Sequence, residues 1–147
     1  DSLKDKLLMT YYGKYIKRMI RNLKLEQNIV FLGPLDEKKM CERYLKSNVF
    51  VCPSSIENSP NSLVEAMILG VPSIASDVGG VSDMLKHKEE GFVYQTDAPY
   101  MLAHYVCEIF ENEDLSLRLS KKAREQALKT HDRKINTDKL IEILKSK

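Results

Sequence analysis

Glu57 and Glu65 stand eight positions apart in the stretch from Pro53 to Ser76. The first follows an apolar, β-branched run, Asn48-Val49-Phe50-Val51-Cys52, and so falls in the loop that leaves a strand. The second falls in the first turn of a helix expected to begin near Ser62. Both carboxylates are thereby aimed at the crevice outside the carboxyl end of a strand, where open α/β sheets bind their ligands. An ionised carboxylate only accepts hydrogen bonds and hydroxyls donate them, so the pair suits a neutral, hydroxyl-rich ligand. Each residue also has a plainer role open to it. Ser62-Leu63-Val64-Glu65 has the form of a capping box, in which Glu65 serves only the helix start. Glu57, taken alone, is an ordinary solvated loop charge.

The elements that must position this pair alternate between two periods. Leu7, Leu8, Tyr11, Tyr12, Tyr15, Ile16, Met19, Ile20 and Leu23 follow the spacing of an amphipathic helix over 3–24. Asn28-Ile29-Val30-Phe31-Leu32 is a short apolar run closed by Gly33-Pro34, as a buried strand would be. Asp36 is placed to cap a helix through about Ser47, with Met40, Cys41, Tyr44 and Leu45 inward. A strand at 48–52, a helix at 62–69 ended by Gly70, and a strand at 72–76 follow. Asp77-Val78-Gly79-Gly80 turns into a short helix, and Gly91-Phe92-Val93-Tyr94 is a last strand. Helices at about 98–112, 114–130 and 133–146 close the chain. Short apolar runs joined by helices predict an α/β fold, a Rossmann-like parallel sheet with helices on both faces.

Composition narrows the function classes. The 147 residues are 43% hydrophobic and 30% charged, an ordinary globular balance with room for one core. Cys41, Cys52 and Cys107 are odd in number and lack any CxxC spacing, which argues against a disulfide framework or a zinc site. We expect three buried, inert thiols in a reducing, cytoplasmic compartment. His87, His104 and His131 are scattered, with no acidic pair at ligand spacing, so no metal is expected and each reads as a surface or packing residue. No apolar run approaches the length of a membrane span. The net charge of +2 conceals basic ends and an acidic middle, and no Lys or Arg lies between Lys46 and Lys86. The basic ends carry apolar residues at helical spacing and no interleaved aromatics, so solvated helix faces are expected rather than nucleic-acid binding.

The span from Asn28 to about Tyr94 resembles the C-terminal, nucleotide-sugar-binding domain of glycosyltransferase family 4, retaining enzymes of the GT-B architecture. The resemblance rests on Asn28-Ile29-Val30-Phe31-Leu32-Gly33, Asn48-Val49-Phe50-Val51-Cys52-Pro53-Ser54 and the E-x7-E pair Glu57 and Glu65. It continues through Glu65-Ala66-Met67, Gly70-Val71-Pro72, Ser76-Asp77-Val78-Gly79-Gly80 and Gly91-Phe92. With the looser match of the flanking helices it covers nearly the whole chain, and the ordered series is far more specific than any one element.

The resemblance implies a role for particular residues. Glu57 would hydrogen-bond hydroxyls of the donor sugar, as an orienting residue at the catalytic centre rather than a general base. Glu65 would take the ribose hydroxyls. Ser59, Pro60, Asn61, Ser62 and Leu63 would bring backbone N–H groups and a helix start to the sugar and diphosphate. Gly33 and Pro34 would border the base, with Cys52 and Pro53 in the same wall. The residues agree with this division: without Lys or Arg nearby, the local diphosphate cradle must be backbone N–H groups and a helix N-terminus. Gly79-Gly80 permits close backbone approach or positive φ beside the same crevice, although a plain turn explains it almost as well. Asp83 stands where the family more often has Glu, and no role follows for it.

The chain also departs from the family pattern. The resemblance implies an N-terminal acceptor domain and two further strands that should precede residue 1. In the strand order 3-2-1-4-5-6 those two are central, leaving the run at 28–32 as strand three without its usual neighbour. The expectation is a fragment that binds donor weakly and does not turn over alone. Its sheet would be completed by another polypeptide, by a changed order, or left with an exposed edge that drives association. The expected parent moves a sugar from a nucleoside-diphosphate donor to a hydroxyl of a glycan or lipid-linked acceptor, with peripheral contact at the inner membrane face. The other classes are a GT-B nucleotide-sugar epimerase or glycogen-synthase-like polymerase, and a non-enzymatic Rossmann-like binding module. Neither GxGxxG nor GxxxxGK[ST] occurs, which disfavours dinucleotide oxidoreductases and P-loop NTPases.

Overall fold

The computed structural model describes residues 11–146, which divide into two compact units at Leu35 and Asp36. In the first, α1 spans Tyr11–Asn22. The start of the helix expected over 3–24, with Leu7 and Leu8, lies outside the described residues. Lys24 closes the helix in the left-handed region at φ 56°. The segment 28–32 forms no strand, which corrects the sequence reading. Val30 and Phe31 are exposed at 76% and 68%. A strand exists only through pairing of its backbone groups, and no described residue pairs with this run.

The second unit holds α2 (Glu37–Leu45), β1 (Phe50–Cys52), α3 (Asn61–Ile68), β2 (Ser73–Ser76), α4 (Val81–Met84) and β3 (Phe92–Tyr94). It ends in α5 (Pro99–Glu111), α6 (Glu113–Thr130) and α7 (Arg133–Lys145). The sheet is parallel in the order β1-β2-β3, with Val51 opposite Ile74 and Ala75 opposite Val93. Parallel neighbours need crossovers, and α3 and α4 with their loops supply them.

Strand periodicity sends consecutive β2 residues to opposite faces. Ala75 joins Cys52, Leu63, Met67, Val81, Leu85, Ala123 and Ala127 in one cluster. Ile74 joins Phe92, Tyr94, Tyr105, Ile109 and Leu119 in another. Both faces are therefore covered by helices, as the alternation of apolar runs predicts, and every residue of β2 is buried. Phe92 and Tyr105 stack with centroids 4.2 Å apart, locking α5 to β3. A third cluster, Tyr44, Ala66 and Val71, seats α2 against α3.

Several local readings hold and several do not. Asp36 caps α2 by accepting from the Lys39 N–H at 2.8 Å, and Gly70 ends α3 at φ 74°. On α2, however, only Tyr44 is buried, while Met40 and Leu45 are exposed, because the helix has one narrow contact with α3. Cys52 is buried, Cys41 half-buried and Cys107 exposed. The expected burial of Cys107 fails because Tyr105 and Ile109 define the inward face of α5 and position 107 lies off it. α7 buries no residue at all.

Candidate functional site

Loops leaving the carboxyl ends of β1 and β2 are tied together by one buried hydroxyl. Ser76, the last residue of β2, donates to the Ser54 carbonyl at 2.5 Å, with the Cys52 carbonyl also within reach at 3.4 Å. This holds the start of the β1 loop against the sheet. Ser54 Oγ in turn donates to Glu57 Oε2 at 3.4 Å, and the Asn58 N–H donates to Glu57 Oε1 at 3.2 Å. Glu57 is half-buried and held at both oxygens, which a free loop charge would not be.

The turn after β2 packs directly on this loop. Gly79 has φ 52°, and a Cβ built on it would overlap the Glu57 carbonyl. The Gly80 N–H donates to the Asn58 carbonyl at 2.8 Å, and a Cβ there would meet the same oxygen. Both reasons for glycine apply here, positive φ and close backbone approach. Asp77, at the head of the turn, accepts from Ser82 Oγ and from Gln95 Nε2, the latter at 3.0 Å. Its charge is thus spent within the loops that follow β2 and β3.

α3 begins one residue before the expected Ser62, with Pro60 in the N-cap position and no side-chain cap. That removes the capping-box reading of Glu65. The N-cap is a proline without an N–H for a glutamate to reach, and Glu65 lies five residues beyond it. Glu65 is exposed, and its Oε2 instead accepts from the Tyr44 hydroxyl at 3.2 Å. Burial first, then the negative charge of Glu65, push the Tyr44 phenol up to about 12. Among the described residues the N–H groups of Asn61 and Ser62 find no acceptor, whereas Leu63 donates to the Pro60 carbonyl at 3.1 Å.

The remaining sequence-nominated residues are placed as follows. Ser59 is exposed, with its hydroxyl 3.5 Å from Met84 Sδ, and Pro60 is buried. Leu63 is fully buried in the core. Cys52 also points into that core, its sulfur 3.7 Å from Ser54 Oγ, while Pro53 is exposed. Gly33 (φ 65°) and Pro34 lie in the first unit. Asp83 is exposed and its N–H donates to the Gly80 carbonyl. Among the described residues no group of three or more His, Cys, Asp or Glu could hold a metal ion. His87 is a packing residue: its ring lies edge-on to Phe92 and Tyr105, and Nδ1 accepts the Val93 N–H at 3.0 Å. Tyr44, Ser54 and Ser76 are the contributors that sequence reasoning missed. Ser54 and Ser76 lie within the motifs Asn48–Ser54 and Ser76–Gly80, but nothing local ties Tyr44 to a residue twenty-one positions later.

A three-stranded parallel sheet covered by helices on both faces, with the Glu57 loop and the start of α3 following the carboxyl end of β1, defines an α/β domain of the doubly wound kind. The chain belongs to the family described as Glycosyl transferases group 1, whose sequence model matches residues 3–126. It is 28% identical over 110 residues to the N-acetyl-alpha-D-glucosaminyl L-malate synthase of Bacillus anthracis, covering 75% of this chain and 28% of that enzyme. It is 36% identical over 62 residues to the sulfoquinovosyl transferase of Arabidopsis thaliana, covering 42% of this chain and 12% of that one. The chain thus spans about 28% of the length of the first of these relatives. Among solved structures, Anabaena HepE in complex with UDP-glucose superposes with a TM-score of 0.85 at 23% identity, covering 92% of this chain and 37% of HepE. The sucrose-phosphate synthase of Thermosynechococcus elongatus superposes with a TM-score of 0.81 at 25% identity, covering 92% and 35%. These likenesses establish the fold as that of a GT-B glycosyltransferase C-terminal domain.

Proposed function

We propose that this chain is the donor-binding part of a retaining, family 4 glycosyltransferase that moves a sugar from a nucleoside diphosphate to an acceptor hydroxyl in glycan or polysaccharide biosynthesis. The observation that carries the reading is the arrangement of Glu57 and Glu65 around the uncapped start of α3. One carboxylate stands before the helix and one within it, and the N–H groups of Asn61 and Ser62 lie between them in sequence. Glu57 accepts hydroxyls of the donor sugar, Glu65 accepts those of the ribose, and the helix N-terminus faces the diphosphate. HepE, which shares this fold, was solved with UDP-glucose bound.

In this reading the protein orients the donor and stabilises the leaving diphosphate, whose developing charge needs dipoles aimed at it before reaction. The diphosphate itself assists deprotonation of the acceptor hydroxyl. Glu57, held by Ser54 and the Asn58 N–H, fixes the sugar ring and is not the base. No Lys or Arg lies between Lys46 and Lys86, so backbone N–H groups and the helix start carry the contact this segment makes to the diphosphate. The three free thiols suit a reducing compartment such as the cytoplasm.

A ligand-observed NMR titration with UDP-, GDP- and ADP-sugars, and with the free nucleotides, tests this. Glu65→Ala should weaken nucleotide and nucleotide sugar alike, by about tenfold or more for hydrogen bonds to a charged group. Glu57→Ala should weaken only the sugar-bearing ligand. If no nucleotide binds, or both variants merely melt earlier, the glutamates are structural and the chain is a binding module of another kind.

A further inference from the structure

We propose that Tyr44 is a positioning residue for the nucleotide site, holding one oxygen of Glu65 so that the other is presented to the ribose. This rests on the donor-site reading above and adds to it a residue from a different helix. Tyr44 is 5% exposed, packed edge-on against Phe50 with ring centroids 5.6 Å apart, and seated among Ala66 and Val71. Its ring therefore has no freedom of its own. The hydroxyl emerges beside α3, 3.2 Å from Glu65 Oε2 and 3.3 Å from the Ser62 carbonyl.

A phenol has one proton to give and here faces two acceptors. The carboxylate is the stronger, since a hydrogen bond to an ionised group is shorter and firmer than one to a neutral carbonyl. The proton goes to Oε2, and Oε1 is left without a protein partner among the described residues. An exposed glutamate otherwise samples many rotamers, and a ligand that needs one of them must bear the ordering entropy. Tyr44 removes that cost before the ligand arrives, which is preorganisation in its ordinary sense. The bond has no helix-capping purpose, because the α3 N-cap is Pro60. It also joins a buried anchor on α2 to an exposed carboxylate on α3, a pairing that stability alone does not require.

Tyr44→Phe keeps the ring and its packing and deletes only the hydroxyl. Affinities for UDP and for 2′,3′-dideoxy-UDP are measured on the full chain and this variant, alone and combined with Glu65→Ala. Three-bond couplings report the Glu65 side-chain rotamer without any ligand. We expect Tyr44→Phe to weaken UDP about tenfold, to leave the dideoxy compound unchanged, to add nothing once Glu65 is Ala, and to average the Glu65 rotamer. Equal losses for the two nucleotides, or no loss for UDP, would overturn the positioning role while leaving the donor site intact. If the unmodified chain binds no UDP, the donor-site reading falls and takes this role with it. Averaged couplings in Tyr44→Phe would then mark the bond as structural.

Discussion

Gly79 stands where the Glu57 carbonyl leaves no room for a Cβ, so the turn after β2 and the loop after β1 are built as one surface. Gly79 must also hold φ 52°, a conformation that L side chains adopt only under strain. The loop cannot move toward the turn, and the turn cannot carry a side chain without displacing Glu57.

Gly79→Ala should therefore cost stability and donor affinity together. The left-handed backbone alone contributes about 1–2 kcal/mol, and the overlap with Glu57 adds to it. Denaturant melts and a UDP-glucose titration measure the two effects. An Ala variant as stable as the parent, with unchanged sugar affinity, would show that the two loops are not packed as described.

Leu63 offers a contrast within the same motif. It is fully buried and its N–H is taken by the Pro60 carbonyl, so its side chain belongs to the core. Leu63→Ala should lose about 2–5 kcal/mol of stability, as truncation of a close-packed core leucine does. At a temperature where the variant is still folded, nucleotide affinity should stay near that of the parent. A specific loss of affinity without loss of stability would return Leu63 to the binding surface.

His87 should make stability depend on pH. Burial chiefly, with the nearby Lys88 charge, holds its imidazole below the ordinary value of 6.5. Nδ1 accepts the Val93 N–H, which only the neutral ring can do. The folded chain therefore binds fewer protons than the unfolded one just below pH 6.5, and stability should fall as pH drops through that value toward the lowered one. Above it the contribution is fully present. Thermal melts from pH 8 to pH 5, compared with His87→Phe, read the effect as a steeper acid-side loss in the parent. Parallel curves would remove His87 as the cause.

Much of this architecture was legible because it is written in local pattern. The apolar runs at 48–52, 72–76 and 91–94 became β1, β2 and β3, and the three closing helices fall within a residue or two of their expected limits. Side-chain period, Asp36 as a cap and Gly70 as a stop are all short-range signals. The run at 28–32 has the same local character and yet no ladder. A strand is defined by its partner, which composition does not supply.

The site divides in the same way. The sequence by itself placed Glu57 in the loop after β1 and Glu65 in the helix that follows, within a stretch that holds no Lys or Arg. Residue type and spacing are sufficient for that. Only the tertiary structure decided which atoms hold them. Ser54 anchors Glu57 from three residues away, Gly79 presses on it from the next crossover, and Tyr44 reaches Glu65 across twenty-one positions. It also decided that Pro60, and not Ser62, opens α3, which released Glu65 from capping. Hydrogen bonds and van der Waals exclusion act over a few ångströms. Residues far apart in the chain come under them only after the sheet and its helices have packed.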